Sequence, residues 1–406
     1  MSTKLPALLL STNMQALKVI RSLGRRGIRV ISLADEIGRW ENSSRYCETR
    51  IVGPIRNNDA QLMQYLVALA KELDCRPVLV PLLDRDVLFM SRHWDELNEH
   101  FLFLLPAPHT AADLVSKTGV RELARQAGVP QPKIYAARNL SDVQNLAGRI
   151  TYPVLIKPVF SQAWWKPEIQ SIVNGKLVRV TSDAELMTMY AQLAQHDPDL
   201  TIEEEIPGPD RNLVYYVGYF DSDSQPLGSF VGIKERVTPI HYGSASYVVS
   251  KYDQKIIAQS VDFMRKLRYR GHVGIEYKYY TRDDSYKLIE VNVRFGLLDG
   301  LAAECGIDFP YINYQYVQQQ SVEAKLHYDE GAKWISFERD LWAYRAYRRE
   351  REVTLSGWIR SIATGRRDWA VFAWDDPLPF LLSSVALART IMKRGATRVA
   401  SHIRRR

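Results

Sequence analysis

GHVGIEYKYYTRDDSYKLIEVNVRFG, residues 271–296, carries Glu276 and, fourteen residues later, Glu290-x-Asn292. Two short apolar runs, GHVGIEYKYY and YKLIEVN, flank a polar turn at Thr281–Ser285, which reads as a β-hairpin. Pairing of the runs would point Glu276, Glu290 and Asn292 from one face. Like charges crowded on such a face cost stability unless a cation sits between them. Two carboxylates and an amide oxygen suit a hard divalent cation such as Mg²⁺, which usually shares its oxygen ligands with substrate phosphates. Arg294 follows at the same strand parity, where it could face a phosphoryl group. The plain alternative is a solvated polar face.

Upstream of the hairpin the chain divides by pattern. LPALLLST (5–12) reads as a buried strand, Asn13–Leu23 has helical spacing, and GRRGIRVISLAD (24–35) supplies a turn and a second strand. This β-α-β start predicts a parallel sheet. It lacks G-x-G-x-x-G, so it is not read as a dinucleotide site. A helix over 60–74, a strand at PVLVPLL (77–83) and a last strand at FLFLLPAP (101–108) complete the first unit. LVSKTGVRELARQAGVPQPKIY (114–135) predicts a helix ending near Gly128. TYPVLIKPVF (151–160) is a strand with Lys157 in its apolar centre, and LTIEEEIPG (200–208) is a strand running into a turn. Strands at 211–220 and 227–236 and a helix at 252–268 precede the hairpin.

Several of these residue types point to chemistry. A buried ammonium such as Lys157 is costly unless it meets an anion. Lys234 and Arg236, two apart on one strand, suit a phosphate or a carboxylate, although a solvated basic strand has the same pattern. The acids Glu203, Glu204 and Glu205 would serve equally as a charged edge that discourages aggregation.

Taken in order, these motifs resemble those of the ATP-grasp superfamily, most of whose members are ATP-dependent carboxylate–amine ligases. The likeness spans roughly residues 4–330 and ends at GLAAECGIDFP (300–310), which resembles a stretch found in ligases of cell-envelope or polysaccharide chemistry. It implies an α/β fold, α+β in the core: a Rossmann-like domain (1–112), a two-lobed ATP-grasp core (113–330; small lobe about 133–205, large lobe about 206–330) and a C-terminal helical extension (331–406). It implies that Glu276, Glu290 and Asn292 hold Mg²⁺, or Mn²⁺ in its place. Lys117 and Lys157 would reach the phosphates of ATP. Glu203 or Glu204 and the backbone near Ile206 would read adenine, and Asp210 the ribose. Arg294, Arg236 and Lys234 would stabilise the transferred phosphoryl group. Two departures stand out. No glycine occurs between Gly148 and Gly175, so SQAWWKPEIQ (161–170), with Trp164, Trp165 and Lys166, replaces the usual glycine-rich lid. Val293 stands where proline is common.

The expected reaction is amide formation between small-molecule carboxylate and amine substrates, through an acylphosphate, releasing ADP and phosphate. A sugar or glycan acceptor is one class that Trp164, Trp165 and Tyr242 would suit. The rival reading is an ATP-binding scaffold or regulator that has lost turnover.

Composition bounds the rest. At 406 residues, 46% hydrophobic and 25% charged, the chain is an ordinary globular sequence with room for two or three domains. Cys47, Cys75 and Cys305 imply no disulfide framework, and a cytoplasmic protein is expected. Its histidines show no zinc spacing. The net charge of +8 is largely that of residues 386–406, which hold seven Arg/Lys and no acid, so no nucleic-acid-binding domain is expected. Leu378, Leu381, Leu382, Val385, Ala388 and Met392 form an apolar stripe at helical spacing. It either docks on the core or, through 378–406, lies on an anionic membrane surface.

Overall fold

The computed structural model describes residues 4–389 except 37, 136, 160–163, 165, 174 and 176. Trp165 and residues 161–163 of the lid segment, and Met392 with the other residues beyond 389, therefore lie outside the described residues.

Three sheets organise the chain. The first is parallel, in the order Glu48–Ile51, Val30–Ala34, Ala7–Leu9, Val78–Val80. Its three apolar strands are fully buried, as expected for a sheet covered on both faces. The 101–108 run, expected as a strand, contributes a single bridge, Val78 to Leu102, and its end opens the helix Pro108–Val115. Proline is favoured in a first helical turn because its missing N–H would be unpaired there anyway. Ser116 then caps Lys117–Ala127, accepting from the Gly119 N–H, and Gly128 ends that helix at φ +71°, a left-handed conformation that suits glycine.

The second sheet has four strands in the order Ile134–Tyr135, Leu200–Glu204, Val154–Pro158, Val178–Val180. The third has seven, in the order Ser285–Asn292, Gly271–Tyr280, Leu213–Phe220, Pro226–Thr238, Ser244–Ser250, Lys333–Ile335, Arg367–Trp369. All its pairs are antiparallel except the last. The helix Gln254–Lys266 packs Ile256, Phe263 and Met264 against it, with Val231 and Tyr277 in the same core.

Beside its helices Phe337–Arg349 and Leu355–Ala363, the C-terminal segment adds two strands to the large sheet. It also covers the first helix, Ala16–Gly24, which is buried on every side, Lys18 and Arg21 included. Buried cations need partners. Lys18 meets Asp368 and the Trp369 carbonyl (2.7 Å), and Arg21 meets Asp376 (2.9 Å). Asp376 also accepts from Ser44 Oγ (2.8 Å) and the Arg45 N–H (3.0 Å).

Candidate functional site

The hairpin forms as the alternation predicts. Glu276 pairs directly with Glu290, and Gly274 with Asn292, so the three oxygen-bearing side chains share one face. A β-bulge follows Glu276. Glu276 is largely buried against the Lys234 ammonium. Glu290 is exposed, and its carboxylate makes no hydrogen bond or ion pair among the described residues. Asn292 is buried; its Oδ1 accepts from Arg294 Nη2 (3.0 Å), while Nδ2 approaches Tyr215 Oη (3.4 Å). Arg294 Nε donates to Asp84 (2.7 Å), which ties this face to the first unit.

Tyr215 is a neighbour the motif reading missed. It sits opposite Glu276 on the adjoining strand, and a Cβ added at Gly274 would fall 2.0 Å from its hydroxyl. The glycine thus leaves space for the phenol to cross the carboxylate face. Burial raises its pKa well beyond the ordinary tyrosine value, so it stays a neutral hydroxyl there. The Lys234 ammonium lies 5.5 Å from its ring centre.

Lys157 and Glu203 occupy neighbouring strands of the small sheet and meet at 2.6 Å. Arg121 approaches the same Glu203 oxygen (3.2 Å) and donates to the backbone carbonyls of Leu288 and Ile289 (the latter at 3.3 Å). One guanidinium therefore joins the small-sheet carboxylate to the 271–292 hairpin. Glu203 is only 2% exposed. Burial alone would raise its pKa, but the Lys157 and Arg121 charges and the Lys157 hydrogen bond outweigh that and hold it at about 2. Lys117 donates to the Pro158 carbonyl (2.6 Å). Burial, then the Lys157 charge, lowers its pKa to about 8, against the pull of Glu203 and Glu290. A cavity of about 460 Å³ opens beside Lys117, Arg121 and Glu203.

Glu204 points elsewhere, accepting from the Lys133 N–H (3.2 Å) and Tyr280 Oη (3.3 Å). Ile206 is buried just past the strand. Asp210 lies in a short turn; its Oδ2 accepts from the His241 N–H (2.9 Å) and the Tyr347 hydroxyl, while its buried Oδ1 has no hydrogen-bond partner among the described residues. An orphaned buried acceptor is what a ribose hydroxyl would satisfy. Lys278, two residues after Glu276, is buried near the Asp210, Glu205 and Glu276 carboxylates, and burial lowers its pKa. Only its place on the hairpin strand hinted at it in the sequence.

Lys234 and Arg236 do not act as a pair. A bulge between them separates their registers. Lys234 meets Glu276, whereas Arg236 forms two hydrogen bonds to buried Asp340 (2.8 Å each), donates to Ser361 Oγ (3.0 Å) and lies 4.0 Å over the Tyr247 ring. Of the 161–170 segment, Trp164 is buried in the core beside the four-stranded antiparallel sheet and donates to Asp197 (3.0 Å), and Lys166 is exposed.

The fold is of the ATP-grasp kind, as the motif order implied. No family model matches the chain. It is 23% identical over 291 residues, 66% of its length, to a D-aspartate ligase of Enterococcus faecium, of which the match covers 69%. Among solved structures, an L-amino acid ligase from Bacillus licheniformis superposes with a TM-score of 0.59 at 17% identity, over 78% of this chain and 75% of that one. The ADP complex of the N5-carboxyaminoimidazole ribonucleotide synthetase purK superposes with 0.62 at 11% identity, over 80% of each.

Proposed function

We propose that the protein is a Mg-ATP-dependent carboxylate–amine ligase. The observation that carries this reading is the cross-strand register that sets Glu276 against Glu290 with Asn292 on the same face, beside the Lys117–Lys157–Glu203 cluster. The donor set fits a hard divalent ion: every candidate ligand atom is oxygen, and Glu290 is uncommitted among the described residues. Glu276, Glu290 and Asn292 would hold Mg²⁺, with Mn²⁺ as its closest substitute. When bound, the ion supplies charge neutralisation to the β- and γ-phosphates.

The chain's own groups divide the remaining work. Lys117 and Lys157 neutralise and hold the phosphates. Glu203 and the Ile206 backbone take the adenine edge, with Glu204 turned to the Lys133 N–H, and Asp210 Oδ1 accepts from the ribose. A substrate carboxylate oxygen attacks the γ-phosphorus, the bond to the bridging oxygen breaks, and ADP departs. An amine lone pair then adds to the acylphosphate carbonyl, the C–O bond to phosphate breaks, and the nitrogen proton leaves with phosphate. Lys234 and Arg294 flank the carboxylate face and stabilise the charge developing on the transferred group. Arg236 takes no part in this, its guanidinium being committed to Asp340. Phosphorylation is needed because an ionised carboxylate is a poor acyl donor, so positioning and charge neutralisation suffice without a nucleophilic side chain.

The relative named D-aspartate ligase and the structural neighbour named L-amino acid ligase favour an amino acid as one substrate; an amino sugar or glycan is the alternative amine. ATP dependence and unpaired cysteines suit the cytoplasm. The test is an ADP-release screen of amino acids and amino sugars with purified protein and Mg-ATP. A substrate pair that raises ADP release in the wild type and not in Glu290→Gln supports the ligase. Nucleotide binding without release under every pair supports the scaffold reading.

A further inference from the structure

The described part of the apolar stripe near the C-terminus does not dock on the core. Residues 378–389 form a helix on which Leu378, Leu381, Leu382 and Val385 are all exposed, Leu381 to 55%, and Trp374 just before it is exposed to 88%. At 100° per residue these four side chains fall within one narrow face. The opposite side is the one that packs: the Phe380 ring sits 5.3 Å from Phe372, which itself meets Trp374 at 4.7 Å.

The helix is also held in this orientation from its start. Asp376 is buried in its pairing with Arg21, Ser44 and the Arg45 N–H, and Asp375 is bonded to Arg25 (2.7 and 2.8 Å) and Tyr46 (2.8 Å). A strap fixed at that point cannot roll the leucines inward without breaking buried charge pairs. The leucine face therefore projects into solvent from a rigid base. No helix among the described residues is long and apolar enough to cross a membrane.

Charge selects the occupant. From Pro377 to Arg406 the sequence holds seven Arg/Lys and no acid; Arg389 lies on the helix, and the other six follow in sequence beyond the described residues. We propose that this helix is an interfacial anchor that seats its leucine face and Trp374 in the surface of a bilayer rich in anionic phospholipid, the cations meeting the headgroups. A protein surface would have to be both apolar and strongly acidic to match the same pattern. This inference stands independently of the ligase reading.

Co-sedimentation of the full chain with phosphatidylglycerol vesicles and with phosphatidylcholine vesicles tests it. Binding is expected to phosphatidylglycerol, to weaken at high salt, and to be much poorer with phosphatidylcholine. Leu381→Glu and Leu382→Glu should each lower vesicle affinity about tenfold, whereas Ser384→Glu, off the stripe, should lower it far less. ATP binding should be unchanged in all three, which separates this result from the fate of the ligase reading. Equal binding to both vesicle types, or none to either, would overturn the proposal. So would concentration-dependent dimerisation of the wild type that Leu381→Glu abolishes, since a second copy would then be the occupant.

Discussion

Glu276 and Glu290 face each other directly across the antiparallel hairpin, and among the described residues Glu276 forms an ion pair, with Lys234, while Glu290 forms none. Opposed carboxylates repel, and the one without an ion pair is the exposed Glu290, which only feels the Lys117 and Arg294 charges at longer range. Neutralising it should therefore relieve strain while removing a ligand. We expect Glu290→Gln to keep or slightly raise the Tm, within about 1 kcal/mol, while abolishing turnover. A fall in Tm as large as that of a core substitution would show that Glu290 is structural instead.

Lys117 supplies a pH signature. Its folded pKa of about 8 lies below the ordinary lysine value, so the ammonium is charged below that pH and loses its proton above it. ATP affinity should accordingly fall as pH rises from about 7 to about 9, with a proton taken up on binding at the upper end. In Lys117→Arg, whose guanidinium stays charged, that part of the dependence should vanish. Calorimetric titrations in buffers of different ionisation heat measure both.

Glu203 makes the opposite kind of linkage. Its folded pKa is depressed to about 2, so its contribution to stability is present above the unfolded carboxylate range and is lost as pH falls toward 2. Glu203→Gln leaves Lys157 and Arg121 without their shared anion and should cost about 3–5 kcal/mol in denaturant unfolding near neutral pH. The loss relative to wild type should shrink in acid.

Arg236 and Asp340 should behave as a packing pair. Asp340 is fully buried and also accepts from Trp358 Nε1 (2.8 Å) and Ser246 Oγ (3.0 Å). Asp340→Ala should destabilise the protein by about 3–5 kcal/mol because a buried guanidinium loses its counter-ion. At temperatures where the variant remains folded, its KM for ATP should be near the wild-type value. A selective loss of kcat in a fully stable variant would instead return Arg236 to the reacting centre.

Tyr347 reaches Asp210 from the C-terminal segment, 137 residues along the chain. Tyr347→Phe removes one of the hydrogen bonds to the candidate ribose carboxylate and should alter KM for ATP several-fold more than kcat. Steady-state kinetics on an active substrate pair would show the split.

These residues also mark where sequence reasoning stops. The hairpin and the opening β-α-β unit were legible because strand alternation and a 3.6-residue helical period are local signals. Tyr215 over Gly274, Arg121 between Glu203 and the hairpin, and Tyr347 on Asp210 arise from strand order and long-range packing, which no local pattern encodes. The bulge between Lys234 and Arg236 is of the same kind: their spacing alone implies a shared face, and one irregular residue gives them different partners. The 101–108 run shows the converse. Its apolar character reflects burial, but Leu102 alone pairs with the sheet. The leucine stripe at 378–385 was correctly read as helical, yet periodicity cannot say which way an apolar face turns.

The most direct test of the carboxylate face is calorimetric binding of a non-hydrolysable ATP analogue, with and without Mg²⁺, to the wild type and to a Glu276→Gln/Glu290→Gln double variant. Mg²⁺ should tighten binding at least about tenfold in the wild type and have little effect in the double variant. The same tightening in both proteins would contradict a metal site on this hairpin.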